Sequence, residues 1–367
     1  MPTSPATAAT LSRPVRDLYA AAELDLLHHL ADELGQDLDS PRWAERRLRA
    51  VGNLRGVVDR RAAALRRTTT TAVDRALLDA YDRGRREAIA DLGRLTAAQR
   101  RSVDAAAADG ARSVRDLAAG LERDSRPLYR RIVSSVTGAY RQIVARAEQA
   151  RDRAAEVQRA LTTYAGRGIV GLVDEQGRGW SMTGWIDSAV RTAAGRALLD
   201  GHSALLSGVG LSLVVVSNSP LECPLCRPWE SKVLTLDAAP GRRVVLARNG
   251  IGAPLSVPVL VAGSLEQARA AGLYHANCRH TLRPYVPGLS SIPDPAPAPR
   301  RATYEDTQRQ RYLERQLRAW RRREAVALDD RARAAAQASI RSYDARLIGL
   351  TRVTGLPRQH DRERIPT

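Results

Sequence analysis

The chain has no phenylalanine, two methionines, three cysteines and a single lysine, Lys232, in 367 residues. Each scarcity excludes something. Aromatic residues make up 4% of the chain, so the 44% apolar content is carried largely by Ala, Leu and Val. Small aliphatic side chains suit helix–helix packing better than a thick β-sandwich. Three cysteines, an odd number in a long chain, do not make a disulfide framework, and folding in a reducing cytoplasm is expected. No stretch approaches the ~18 apolar residues of a membrane span. The N-terminus shows no charged segment leading into an apolar run, so neither a secretory signal nor a membrane partner is expected. With one lysine, the formal charge of +18 is almost wholly arginine. That balance attracts polyanions, with non-specific double-stranded DNA the obvious one. Its weight is modest, because Arg for Lys and Ala for larger residues is also what a GC-rich genome imposes.

What is present is mostly helical spacing. Met1–Leu11 is small and polar and reads as disordered. Ser12 caps a helix with Pro14 in its first turn, an apolar stripe from Val15 to Leu34, and Gly35 as its stop. Asp39, Ser40 and Pro41 open a second helix, and the four β-branched residues Thr68–Thr71 predict a kink or short loop in it. Patterning resumes from Leu77 to Leu92 and from Leu95 to about Leu121. A long helix is expected from Pro127 to about Tyr164. His28 and His29 fall beside the first stripe and read as ordinary helix residues. Gly166, Gly168 and Gly171 break the pattern without making a phosphate-cradling loop. Asp174–Gly177 is turn chemistry between two short extended pieces. A helix follows from Thr183 to about Ser207. LSLVVV at Leu211–Val216 is the clearest strand, with further candidates at Lys232–Leu236, Arg242–Leu246 and Val257–Val261. Ser264–Ala271 is a short helix.

Pro287–Pro299 reads as a stiff, extended linker. Beyond it lie two helices, the first with Leu313, Leu317 and Trp320 on one stripe, the second capped by Asp329 or Asp330 and stopping at Gly349. Arg321, Arg322 and Arg323 form the densest basic run; they read either as a phosphate-contacting patch or as a solvated helix face. The expected fold is mainly α with a small α+β zinc-knuckle module, a long N-terminal helical region and a C-terminal helical pair. The expected boundaries are 1–165, 166–286, 287–300 and 301–367.

All three cysteines lie in one stretch. Cys223 and Cys226 form a C-x-x-C pair, and His275, Cys278 and His280 crowd together some fifty residues later. Two such knuckles can complete a tetrahedron around zinc, with five candidates for four places. The alternative is free thiols and surface imidazoles that are neighbours only in sequence. Zinc deaminases place H-x-E before P-C-x-x-C, which is not the order here. The zincin helix H-E-x-x-H is absent, and His275, Asn277 and His280 are too compressed for a His-Asn-His nuclease finger. A site filled by four protein ligands leaves no place for substrate, so the zinc is expected to be structural. Glu222 and Glu230 flank the first knuckle as the only acids placed to act as a base, and both are expected to face solvent or pair with arginines.

These residues carry a resemblance. C-P-L-C-x-P-W-E followed by H-A-N-C-R-H and P-Y is similar to the phage minor capsid protein 2 family, itself related to the Mu F-type head morphogenesis proteins of tailed bacteriophages. The likeness extends upstream through GRGWSMTGWIDSAVRTAAGRALLDGH and downstream through YEDTQRQRYLERQLRAWRRREAVALDD, from about Gly168 onward. The N-terminal half carries no comparable signature. The resemblance implies a structural minor capsid protein of the virion, acting near the portal vertex in head assembly, with phage portal and capsid proteins as partners and DNA as a further contact. It also favours His280 over His275 as fourth ligand, because Mu F-type relatives tend to place cysteine there. The rival reading is a zinc-dependent nuclease or toxin-like effector carried in the head.

Overall fold

The helical periodicity is borne out as predominantly helical structure in the computed structural model, which describes residues 5–93, 97–173, 177, 179–219, 221, 223–252, 254–275, 278, 280–292 and 302–365, the side chains of 5–6, 97–109 and 170–173 excepted. Four helices come first: α1 (Pro5–Gly35), α2 (Trp43–Leu92), α3 (Ala97–Glu148) and α4 (Arg153–Arg167). The hairpin β1 (Val170–Val173) and β2 (Gly179–Ser181) leads into α5 (Met182–Gly208). Then come β3 (Leu213–Val216), β4 (Val233–Thr235), β5 (Arg243–Arg248), β6 (Ser256–Val261), β7 (Gly263–Ser264), α6 (Leu265–Ala270) and β8 (Leu282–Pro284). Helices α7 (Tyr304–Ala325) and α8 (Asp330–Thr354) complete the chain. The protein is mainly α with a small α+β module, as expected.

Several element boundaries differ from the sequence reading, each for a local reason. Helix α1 starts before Ser12, whose hydroxyl donates back to Ala9 O at 3.2 Å instead of capping. The run Ala6–Leu11 is rich in alanine and extends the helix upstream. Met1–Ser4 lie outside the described residues. Helix α2 passes unbroken through Thr68–Thr71, because Thr68 and Thr70 donate to the carbonyls of Ala64 and Arg66, both at 3.2 Å. Such back-bonding satisfies the hydroxyls within the helix. Helix α3 runs through Pro127, and the break falls instead near Ala150, where Asp152 caps α4 by accepting from Ala155 N at 2.9 Å. Helix α8 continues past Gly349 to Thr354 and ends on Gly355, whose φ of 72° is the left-handed conformation glycine tolerates. Of the turn expected at Asp174–Gly177 only Gly177, with a φ of 77°, is described, and residues 293–299 of the proline-rich segment lie outside the described residues.

Contacts gather the chain into two units, each assembled from three separated segments. One comprises Met1–Arg13, Ala72–Leu121 and Ser188–Arg300; the other comprises Pro14–Thr71, Glu122–Asp187 and Arg301–Thr367. The N-terminal helical region expected over 1–165 therefore contributes to both. The basic tail, expected as a separate segment, shares a unit with α4, against which α7 packs.

In the first unit a four-stranded sheet has the order β7-β4-β3-β8, with β3 antiparallel to both neighbours and β4 parallel to β7. Every residue of β3 is buried. The hairpin β5–β6 packs one face on the same core, through Ala247, Val259 and Val261 beside Leu213 and Val233. Helices α2 and α5 cross closely in this unit. A Cβ on Gly84 would stand 1.9 Å from Leu198 O, and one on Gly201 2.1 Å from Tyr81 O. In the second unit, Leu313 and Leu317 of α7 pack against Leu347 of α8, with Ile340, Tyr343 and Leu350 around them.

Candidate metal centre

The two cysteine loops meet because of strand pairing. Antiparallel register sets Val216 at the end of β3 opposite Leu282 at the start of β8. Ser217 N donates to Thr281 O at 2.9 Å and Thr281 N to Ser217 Oγ at 2.8 Å, which extends the ladder by one step. Cys223 lies shortly after this junction in sequence and Cys278 shortly before it, so a contact between residues some fifty positions apart is built into the sheet.

Each loop is a tight turn. The Cys223 carbonyl accepts from Cys226 N and Arg227 N, both at 3.1 Å, and the Cys226 carbonyl accepts from Trp229 N at 2.9 Å. In the second loop Cys278 N donates to His275 O at 2.8 Å. Leu221, Ser231 and Tyr274 bracket these turns with φ of 64°, 57° and 63°. A non-glycine residue in this region costs of order 1–3 kcal/mol and persists where the surrounding structure compels it. Strain gathered around one cluster marks the cluster as the feature being held.

All five sequence candidates arrive there. Cys223 Sγ is 3.1 Å from His275 Nε2, Cys226 Sγ is 3.6 Å from Cys278 Sγ, and Cys278 Sγ is 3.3 Å from His280 Nδ1. They form two triads, Cys223/Cys226/His275 and Cys226/Cys278/His280, that share Cys226, with the donor atoms of each within 4.8 Å of one another. The cysteines and His280 are buried and His275 is half-buried. The donor set is sulfur and imidazole nitrogen, the set zinc prefers. Bonds of about 2.3 Å to sulfur and 2.0 Å to nitrogen imply tetrahedral edges of about 3.5–3.8 Å. The observed separations of 3.1–3.6 Å lie at or just under these edges and the donor chemistry fits a zinc ion, although the donor atoms stand as two triads on Cys226 and not as one group of four.

Electrostatics prepare the sulfurs. The Cys278 thiol is drawn down to about 4, first by its hydrogen bond with Cys226 and, against the effect of burial, by the His280 imidazole. Cys226 is pushed up by the same hydrogen bond and then by burial, so the pair shares one proton. Burial alone would lower His280, but Cys278 and Glu230 outweigh it and raise its pKa. The buried Tyr274 hydroxyl has no hydrogen-bond partner among the described residues, and burial and the neighbouring sulfurs push its pKa well up.

Glu230 departs from expectation. Its side chain is largely buried and pairs with no arginine among the described residues; its Oε1 accepts from Ser219 N at 3.1 Å and lies 2.5 Å from His280 Nε2. The cause is its place at the end of the first turn, which sets it over the second loop. A carboxylate on the far nitrogen of an imidazole fixes tautomer and ring orientation, leaving Nδ1 directed at the sulfurs. Sequence reasoning missed this role, since no local spacing couples residue 230 to residue 280. Glu222 and Asn277 lie outside the described residues.

The arginine run of the tail is engaged within its own unit. Arg322 donates through Nε to Ala165 O at 2.8 Å and through Nη2 to Gly166 O at 3.2 Å, at the open C-terminal end of α4. Arg323 donates to Thr162 O at 3.3 Å and stacks 4.1 Å over the Trp320 ring, and Arg321 donates to the Glu363 carbonyl. Cations there add to the last carbonyls of α4, of which Ala165 O also accepts from Gly168 N at 3.2 Å, and oppose the negative end of its dipole.

A predominantly helical protein, with a strained sheet edge that closes a sulfur–imidazole cluster, is the class that fold and site define. The chain belongs to the phage minor capsid protein 2 family, whose sequence model matches residues 4–350. The match includes the N-terminal helices, which carry no motif of their own. Over 210 residues the chain is 28% identical to a "Structural protein" of Lactococcus phage LL-H, covering 52% of this chain and 50% of that relative. The chain thus spans about half the length of the curated relative it matches. No solved structure matches it.

Proposed function

We propose that this family member is a non-enzymatic minor structural component of the virion that acts near the portal vertex in head assembly. It docks there on portal or capsid proteins through the outer face of the hairpin β5–β6. The observation that carries this reading is a broken alternation. A hairpin with one face on the core presents polar side chains on the other. Here two of the three outward cross-strand pairs are apolar, Val244–Leu260 and Leu246–Pro258, with Val244 62%, Leu246 78% and Leu260 51% exposed, and only the last, Arg248–Ser256, is polar. Ile251 and Leu255 in the connecting loop are 70% and 78% exposed. An exposed apolar face of this kind is what docking on another protein requires, and each side chain buried there would contribute about 1.5–3 kcal/mol before the costs of association.

The cysteine–histidine cluster supports the same reading as a structural zinc site, with Cys223, Cys226, Cys278 and His280 as ligands and His275 as the alternative fourth. Zinc there would supply folding free energy and hold the two loops together. Glu230, the acid a nuclease would need as base, is committed to His280 and Ser219 N–H, which weighs against the enzymatic alternative. Non-specific attraction to DNA belongs to this reading on the strength of the charge of +18.

Leu246→Glu tests the docking face. The variant is expected to fold with unchanged far-UV circular dichroism and zinc content, yet to be missing from particles assembled in its presence. Incorporation at the level of the unsubstituted protein would overturn the assignment of this face.

A further inference from the structure

Helices α2 and α3 enclose a groove of about 1060 Å³ in the second unit, and its rim is cationic. Arg55, Arg66 and Arg67 line it from α2, Arg130 and Arg141 from α3. The two carboxylates at the rim are already engaged. Glu122 accepts from Arg66 at 3.0 Å, and its hydrogen bond with that arginine, outweighing burial, lowers its pKa; Asp59 lies 3.8 Å from Arg55. Arg67, Arg130 and Arg141 are exposed and have no acidic partner among the described residues.

The spacing is regular. Arg55 and Arg66, like Arg130 and Arg141, stand eleven residues apart, which is close to three full helical turns, so each pair occupies one face. At 1.5 Å per residue the members of each pair are about 16 Å apart along the axis. A strand of duplex DNA presents one phosphate per about 3.4 Å, so the α3 rim, Arg130 and Arg141, can follow a backbone over roughly five phosphates, with Arg67 reaching it from α2. The floor is shallow in side chains: Ala63 and Gly138 line it, and nothing lies within 4 Å of where a Cβ on Gly138 would stand. An acidic peptide would share the charge but not this fixed repeat.

We infer that the α2–α3 groove is the non-specific docking surface for the phosphate backbone of double-stranded DNA, in place of the tail run Arg321–Arg323. The inference rests on the DNA-contact part of the proposed function. Fluorescence anisotropy with a labelled random-sequence duplex, across a salt series, tests it on the full chain. R67Q/R130Q/R141Q removes three charges from the groove. R331Q/R341Q/R352Q removes three from exposed positions of α8 and serves as a charge-matched control. The groove variant is expected to bind about tenfold more weakly at moderate salt, with the slope of log affinity against log salt reduced by about 2.7, while the control changes little. Gly138→Trp, which fills the floor without changing charge, is expected to weaken binding as well. Equal losses in the two triple variants would overturn the groove and leave DNA attraction standing as diffuse charge. No binding by the unsubstituted chain would overturn both, and competition by polyglutamate as effective as by duplex DNA would assign the groove to an acidic protein partner.

Discussion

Glu230 shows what a single residue contributes beyond the ligands themselves. It holds the far nitrogen of His280 while its own oxygen is pinned by Ser219 N–H, so the imidazole is oriented before any metal arrives. Glu230→Gln keeps an acceptor but loses the charge that raises the basicity of the ring. The expected result is a folded protein whose zinc affinity, measured by chelator competition, falls by about tenfold. Unchanged affinity would remove Glu230 from the site. Cys226→Ser is a different case: it deletes the sulfur common to both triads, and loss of both metal and cooperative melting is expected. The three cysteines and two histidines were legible from spacing alone, because C-x-x-C and a compressed second cluster carry their chemistry in sequence. Glu230 was not, since its role is created by the pairing of β3 with β8.

Among elements, helical stretches were legible in type but not where one helix gives way to the next: the helices expected at 95–121 and 127–164 are α3 to Glu148 and α4 from Arg153. Thr68–Thr71 and Pro127 are local breaking signals, and the helices ran through both. Buried stripes on either side, such as Val58 and Leu65 before the threonines and Val73 and Leu77 after them, outweigh a propensity difference of a few tenths of a kcal/mol per residue. The crossing of α2 and α5 was invisible in sequence, because a glycine inside a helical pattern does not say what packs against it. It makes a sharp prediction. Each faces a backbone carbonyl of the other helix, and backbone cannot rotate away as a side chain can. In an exposed helix, Gly→Ala would stabilise by up to about 1 kcal/mol. Here Gly84→Ala and Gly201→Ala are each expected to destabilise by about 1–3 kcal/mol in urea unfolding, the cost of forcing a methyl into a closed crossing. A stabilised variant would show that the helices sit further apart than this.

For the whole molecule, the arginine excess falls into two distinct placements that the charge of +18 could not separate. Part of it is structural: Arg322 and Arg323 close the end of α4, and that is where the densest basic run in the sequence is found. Part faces solvent along the α2–α3 groove, where no long run stands out because the residues come from two helices far apart in sequence. Density in sequence and density in space are different quantities in a helical protein. The family is borne by the knuckle motif in sequence and by almost the full length in the family match. The central claim, that the knuckle is a closed structural zinc site in a virion protein, is tested most directly by zinc K-edge X-ray absorption on the purified, reduced full-length chain, together with its metal content. The account predicts one zinc per chain with three sulfurs and one nitrogen in its coordination shell. Zinc well below one per chain, or an oxygen ligand marking an open catalytic position, would contradict it.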